Sequence, residues 1–298
     1  MTLTRSNFGS LLLPVHSKIF FDYLEELGEQ YSRIFKVEDM DRASVTEKIL
    51  GGFGLWDENT EGNTVNEDTM SEGDEVTFTA ARYDKGYSVT WELVKDDYRG
   101  VLSGLGKNGS ARTLAKGLNA TVETLAASIL NNGFSNTGYD GKALFANDHR
   151  LTDSASDCSN LATGALSYAN LKLALTLMRQ TVDEAGIQIK CIPGKLIVPN
   201  ELEFTAKEIL NSQRVAGELS NTETQTPGLQ LEVMDYLTDS DAWFIQAKNT
   251  ENLVFKWREK PWFDMQFIPR KVDKFFFGFA RMTCGYRNWR GICGSSGA

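Results

Sequence analysis

Two histidines, four cysteines and forty carboxylates bound the chemistry open to this 298-residue chain. The densest constellation is Asn147-Asp148-His149, with Asp153 and Asp157 just downstream. Carboxylates around an imidazole can hold a divalent cation or work as an acid/base pair. A Ser–His–Asp hydrolase would rest on His149 alone, since His16 falls in an N-terminal segment read as irregular and no GxSxG elbow occurs. A ring hydrogen-bonded within a loop accounts for the same residues without any chemistry, and is the preferred reading.

The remaining motifs have structural explanations too. Gly104-Leu-Gly106-Lys-Asn-Gly109 spells GxGxxG, with Glu123 placed where a ribose-binding acid would be sought. A dinucleotide site needs that loop directly after a buried strand, with the acid ending the next strand. Glu123 instead lies within the strongest helical pattern in the chain, so the glycines read as a flexible joint. Lys107 completes no Walker motif, because Gly100 is one residue out of register. Asp96-Asp97 falls where a strand is expected to hand over to a helix, and carboxylates there cap free N–H groups. Asp239 and Asp241 occupy a turn between strands. Cys158, Cys191, Cys284 and Cys293 form no CxxC, and without a secretory signal they read as buried or free thiols in a reducing compartment. The six tryptophans (56, 91, 243, 257, 262, 289) and Phe275–Phe277 could stack bases, but their strand contexts and the acidic balance favour packing in a core or an interface. Neither a catalytic centre, a metal site nor a cofactor site is expected.

The elements that would carry these residues form an α+β pattern, with helices and strands segregated in runs. Residues 1–16 read as irregular, and Ser17 opens a helix with Phe20, Tyr23, Leu24 and Leu27 on one stripe. Tyr31–Val37 is strand-like. Leu114, Leu118, Val122, Leu125 and Ile129 recur at helical steps through Ser110–Asn132, which Gly133 stops. Residues 136–164 have loop composition. A helix capped by Ser167 runs to about Glu184, a buried strand covers Leu196–Val198, and a helix covers Asn200–Ser212. A polar loop spans 215–228, and strands follow at 229–237, 242–247, 252–258, 263–269 and 275–289.

Residues 57–75 stand apart from this pattern. They hold eight carboxylates (Asp57, Glu58, Glu61, Glu67, Asp68, Glu72, Asp74, Glu75) and no Lys or Arg. Strand-like runs flank them at Ala43–Phe53 and Val76–Leu93, which predicts a long hairpin with an acidic tip. An isolated two-stranded ribbon is marginal in water, so such an arm must lie on something, and a second copy of the chain is the best candidate. The formal charge of −9 argues against gripping nucleic acid through phosphates. Yet residues 256–290 carry nine Lys or Arg against three acids, a local charge of +6. The longest apolar runs, Leu11–Leu13 and Phe275–Phe277, are far too short to span a bilayer.

Short segments in order along the chain carry a family likeness: Arg5–Phe8 with Ile19-Phe20, YSVTWELVKDD at 87–97, DGKALFANDH at 140–149, LIVPNELEFTA at 196–206, DAWF at 241–244 and YRNWRGICG at 286–294. With them the chain resembles the major capsid proteins of tailed phages, in the branch of the Mu-type major head subunit. The resemblance implies the capsid fold shared by tailed phages and herpesviruses, with an N-terminal arm (1–41) and an extended hairpin loop (42–94). It further implies a peripheral domain (95–165 with 259–298) whose spine helix lies near 110–132, and an axial domain (166–258). It implies assembly with itself as hexamers and pentamers into an icosahedral shell around double-stranded DNA bound without sequence specificity. Scaffolding, portal and decoration proteins would be further partners, no membrane is involved, and the subunit would join the virion after assembly in the host cytoplasm.

Some relatives begin with a long cleaved scaffold segment; here any scaffold is expected to be a separate protein. Others crosslink a hairpin lysine to a neighbour's asparagine, which the lysine-free tip speaks against. In that frame the subunit interface is expected to set Glu61, Glu67, Asp68 and Glu72 against Lys256, Arg258, Arg270, Lys271, Arg281 and Arg287 of an adjacent copy. The alternatives are an encapsulin-like nanocompartment on the same fold and, from another class, an intracellular hydrolase using His149.

Overall fold

The computed structural model describes residues 8–69, 72–96, 109–151, 154–211, 228–269 and 273–298. Two four-stranded sheets organise it. The first joins β1 (Lys36–Asp39), β4 (Ala81–Val89), β10 (Leu253–Ile268) and β11 (Asp273–Tyr286) in the order β1-β10-β11-β4. Only β1 runs parallel to its neighbour. The period-two alternation of a strand splits the faces of this sheet: Phe276, Ala280 and Met282 of β11 are buried beneath helices, whereas Phe275, Phe277 and Phe279 point the other way and are half-buried.

The covering helices are α1 (Phe8–Leu27) and α4 (Ser110–Asn131). Ala111, Ala115, Val122, Ala126 and Leu130 form the buried stripe of α4. The helix stops where expected, and for a packing reason: a Cβ at Gly133 would stand 2.6 Å from the Phe145 ring. Helix α1 begins at Phe8, well before Ser17, and contains Pro14. Leu13, His16 and Phe20 face the sheet at helical spacing, and that packing outweighs the backbone hydrogen bond the proline removes.

The second sheet has the order β12-β9-β7-β8, from β7 (Pro193–Val198), β8 (Gln230–Val233), β9 (Trp243–Ala247) and β12 (Ile292–Ser295). Helices α5 (Tyr168–Arg179) and α6 (Glu203–Asn211) cover it, burying Leu171, Met178, Leu196, Val198, Ala206 and Trp243 together. The Ser167 side chain accepts the Asn170 N–H at 3.2 Å, the cap expected there, but α5 ends at Arg179, short of Glu184.

Other elements depart from the sequence reading. Tyr31–Ile34 is a helical turn (α2) preceding β1. The loop after α4 contains a small hairpin of β5 (His149–Leu151) and β6 (Ser154–Cys158). The two expected strands 252–258 and 263–269 are one strand, β10, irregular between Trp257 and Trp262. Residues 215–227 of the expected polar loop lie outside the described residues.

The predicted arm consists of β2 (Ser44–Leu50) and β3 (Glu72–Thr79), paired antiparallel from Ser44↔Thr79 to Leu50↔Glu72. The run expected as one strand from Val76 to Leu93 divides at Ala80: β3 belongs to the arm, β4 to the sheet, and α3 (Trp91–Asp96) follows. Gly86 on β4 lies opposite Phe277, where a Cβ would come within 2.6 Å of both the Phe276 carbonyl oxygen and the Phe275 ring. Gly86→Ala is therefore expected to lower stability by about 1–3 kcal/mol, as overpacking against backbone does, measured by denaturant unfolding.

Candidate functional site

His149 comes first, as the residue on which any hydrolase would depend. It is fully buried, its Nδ1 lies 2.6 Å from Asp140 Oδ2, and its Nε2 lies 3.2 Å from Asn160 Oδ1. The Trp289 indole stacks on the ring at 4.2 Å and 7°. Asn160 in turn accepts the Ala146 N–H and donates to the Leu144 carbonyl. Both ring nitrogens and one ring face are thus engaged, and Asp148 points elsewhere, to Lys142. This is a staple that fixes the loop 140–160 to the chain's last turn before β12. Asp153 lies outside the described residues, and Asp157 is exposed on β6.

The other chemical candidates resolve similarly. His16 is buried against Phe276 and within 2.9 Å of the Tyr87 hydroxyl; burial and then nearby Lys274 hold its pKa below the ordinary value. Glu123 is buried and accepts the N–H groups of Gln30 (2.7 Å) and Tyr31 (3.0 Å), capping α2. Burial raises its pKa, and those two N–H bonds only partly oppose it. Gly104 and Gly106 lie outside the described residues. Asp96 closes α3, where a helix start was expected, and Asp97 lies outside the described residues. Asp239 accepts the Asp241 N–H within a turn. Burial pushes the Cys293 thiol up to about 12 and the Cys284 thiol higher still, the opposite of an activated nucleophile. Among the described residues no group of three or more His, Cys, Asp or Glu could hold a metal, and no helix is long and apolar enough to cross a membrane.

What remains is the arm. Its root is fixed by an ion cluster on the sheet face opposite α4. The Lys256 ammonium, only 5% exposed, lies 3.2 Å from Glu38 Oε2, makes a closer ion pair with Glu47, and sits 4.8 Å over the Phe78 ring. Arg287 donates through Nη2 to Glu38 at 2.6 Å and through Nε to Glu47 at 2.5 Å. The hydrogen bond from Arg287 holds Glu47 below the usual carboxylate range, helped by Lys256. For Glu38 burial pulls upward, but Arg287 and Lys256 outweigh it and the net shift is also down. Phe78 completes the anchor with Met40 and Val254. The alternation of β10 explains the location: Phe255 and Trp257 face α4, so Val254 and Lys256 must face the arm.

The geometry thus narrows the expected interface. Lys256 and Arg287, predicted to meet a neighbour's tip, have their charges met by Glu38 and Glu47 of the same chain, two acids that composition gave no reason to single out. Arg281 pairs with Glu259 at 3.2 Å, and Arg258 donates to the Met40 carbonyl at 3.3 Å. Arg270 and Lys271 lie outside the described residues. On the acidic side, Glu72 pairs with Lys48 at 3.3 Å and Asp68 accepts the Gly54 N–H at 2.8 Å. Glu61 and Glu67 are exposed. The tip is also apolar: Leu55 is 80% exposed, Trp56 99% and Val65 86%. Trp56 was grouped with the packed tryptophans by its type, and the monomer leaves it uncovered. Its signal lay in plain view, an indole beside five acids with no strand pattern around it.

The described residues thus form two sheets with their covering helices and a two-stranded arm whose tip is exposed. A sequence model of the family described as "Phage capsid protein" matches residues 73–294. The chain belongs to that family, and it is a structural rather than an enzymatic protein. Solved structures show the same fold. A chain of the bacteriophage JBD30 procapsid is 14% identical, with TM-score 0.52 over 98% of this chain and 76% of that one. A chain from the capsid of cyanophage P-SCSP1u is 8% identical, with TM-score 0.57 over 88% and 85%. The virus-like particle from Pyrococcus furiosus is 12% identical, with TM-score 0.51 over 94% and 97%. No curated protein matches the sequence.

Proposed function

We propose that this chain is the major head subunit of a tailed phage, assembling as hexamers and pentamers into a closed icosahedral shell around double-stranded DNA. The observation that carries this is the capsid family match across both sheets, joined to an arm whose tip is uncovered in the single chain. Arms add contact area without enlarging a core, and heterologous contacts that close on a symmetry axis need such area. The quoted segments favour the Mu-type branch. Scaffolding, portal and decoration proteins complete the partner set, with assembly in the host cytoplasm. The four-part division is retained with two changes. The boundary at 258/259 would cut β10 in two, so the peripheral part starts at Leu253, and β12 goes with the axial sheet.

In this reading the tip acids Glu61 and Glu67, in no ion pair among the described residues, steer a neighbour's cations, Arg258 and Arg281 with Arg270 and Lys271 by sequence. Lys256 and Arg287 serve the arm's root instead. Electrostatic steering sets register and rate more than affinity and is screened by salt. Electron microscopy of the purified full chain is expected to show closed shells, tubes or hexameric rings, and a monomer at high concentration would count against the proposal. Glu61→Lys with Glu67→Lys should slow assembly several-fold at low salt and little at high salt. Likeness to the Pyrococcus furiosus particle favours a second reading, a nanocompartment of the encapsulin type. Protein cargo in place of DNA inside particles from the native host would select it.

A further inference from the structure

We infer that Trp56 of one copy seats in the groove between α4 and β4 of a neighbouring copy, a contact that rests on the shell reading above. The groove has a volume of about 270 Å³ and is lined by Phe20, Tyr83, Leu114 and Leu118, with Gly117 on one wall and Gly278 at its floor. Lys85, which shares with Tyr83 the face of β4 toward α4, stands at the edge of its mouth, whereas Arg82 packs over the Phe279 ring on the other face. Arg82 pairs with Asp84, while Lys85 is exposed and makes no ion pair among the described residues. The mouth is therefore net positive. On the tip, Trp56 is followed directly by Asp57 and Glu58, both exposed and neither in an ion pair among the described residues. Inserting the indole brings those two carboxylates onto that mouth, so apolar and charged surfaces match in a single pose. A buried aromatic in a fitted pocket with a charged rim is the usual anatomy of an interface hot spot.

The alternatives on the same chain fit less well. A larger concavity of about 390 Å³ beside Tyr139 and Tyr286 is walled by Glu75–Phe78 of the arm itself and offers no cation. A third, about 260 Å³ between α4 and Trp257, sets Glu29 against Lys260, and Lys260 already pairs with Asp39. A chain's own groove is also poorly placed for its own tip. The root is held on the sheet face away from α4, and at Gly52 the arm enters the loop beside Asp183, in the unit of the second sheet. The occupant is accordingly a second copy.

The test pairs a knob variant with a hole variant of the full chain. Trp56→Ala removes the indole from an exposed site. Gly117→Leu fills the groove from within, and a Cβ at Gly117 meets nothing within 4 Å. It should also raise the thermal midpoint, since glycine is a poor helix residue. Both are expected to remain folded while the yield of closed particles falls by roughly tenfold or more, and Trp56→Phe should keep most of the yield. The difference between wild-type and Trp56→Phe emission isolates Trp56, which should shift to the blue on assembly. Normal particle yield from Trp56→Ala or Gly117→Leu, or Trp56 emission unchanged in assembled particles, overturns this contact and leaves the shell reading intact. A wild-type chain that never assembles overturns both.

Discussion

Replacing Glu38 and Glu47 together by glutamine is expected to lower the unfolding free energy by about 3 kcal/mol. The wild-type cluster has two carboxylates facing two cations, one of them the buried Lys256. Removing both acids leaves an ammonium and a guanidinium side by side against Phe78, and breaking a buried pair from one side costs more than the pair itself contributes. The carboxylates keep about a quarter of their side chains exposed, which places the loss at the low end of the range for buried pairs. For a chain of this size that is a fall in thermal midpoint of roughly 6–12 °C. The single substitutions should each cost less, and their sum should miss the double because the four groups share partners. Trypsin supplies a local readout, since Lys48 and Arg82 are already exposed and a loosened root frees the strand backbone around them for cleavage.

The same cluster has a defined pH dependence. Both glutamates titrate below their ordinary value of 4.5 in the folded chain, so their contribution is present above that value. It is lost as pH falls through the depressed folded values. The stability gap between wild type and the double variant should therefore be flat above about pH 5.5 and should narrow progressively as pH falls below the ordinary carboxylate value. A gap that widens on acidification would show that the carboxylates are not ion-paired.

How much of this was legible beforehand depended on how local the signal was. Helix α4 was readable almost to the residue because its period and its stop are set by neighbours in sequence, and Ser167 announced α5 for the same reason. The arm was readable as composition, an acid-only run between strand-like flanks. Its root was not: Glu38 and Glu47 become partners of Lys256 and Arg287 only through the parallel β1–β10 pairing and the way the arm folds over Val254. No spacing rule encodes a contact between positions 47 and 287. Helix α1 failed for the converse reason, since Pro14 and the early polar residues argued locally against a helix that tertiary packing imposes. His149 was read as a ring hydrogen-bonded within a loop, but its partners, Asp140 and Asn160, were not those its flanking acids had pointed to.

His149→Ala is expected to cost about 3–5 kcal/mol and to impair particle formation only to the extent that it unfolds the chain. The substitution removes the partner that covers Trp289, opens a void at a site with no solvent access, and leaves Asp140, 8% exposed, with the Lys142 N–H as its remaining hydrogen-bond donor among the described residues. Asn160→Ala should cost a similar amount, because it breaks the same staple from the other side and strands the Ala146 N–H and the Leu144 carbonyl. If the two residues act as one unit, the double variant should fall well short of the sum of the singles. A catalytic histidine would behave differently. Its loss would abolish turnover while leaving unfolding midpoints nearly unchanged, since active-site groups are held at some cost to stability. Denaturation midpoints of the three variants, set beside their particle yields, separate the two cases: yields that track stability assign His149 to the fold, and the family to which the chain belongs gives a ring in that position no reaction to perform.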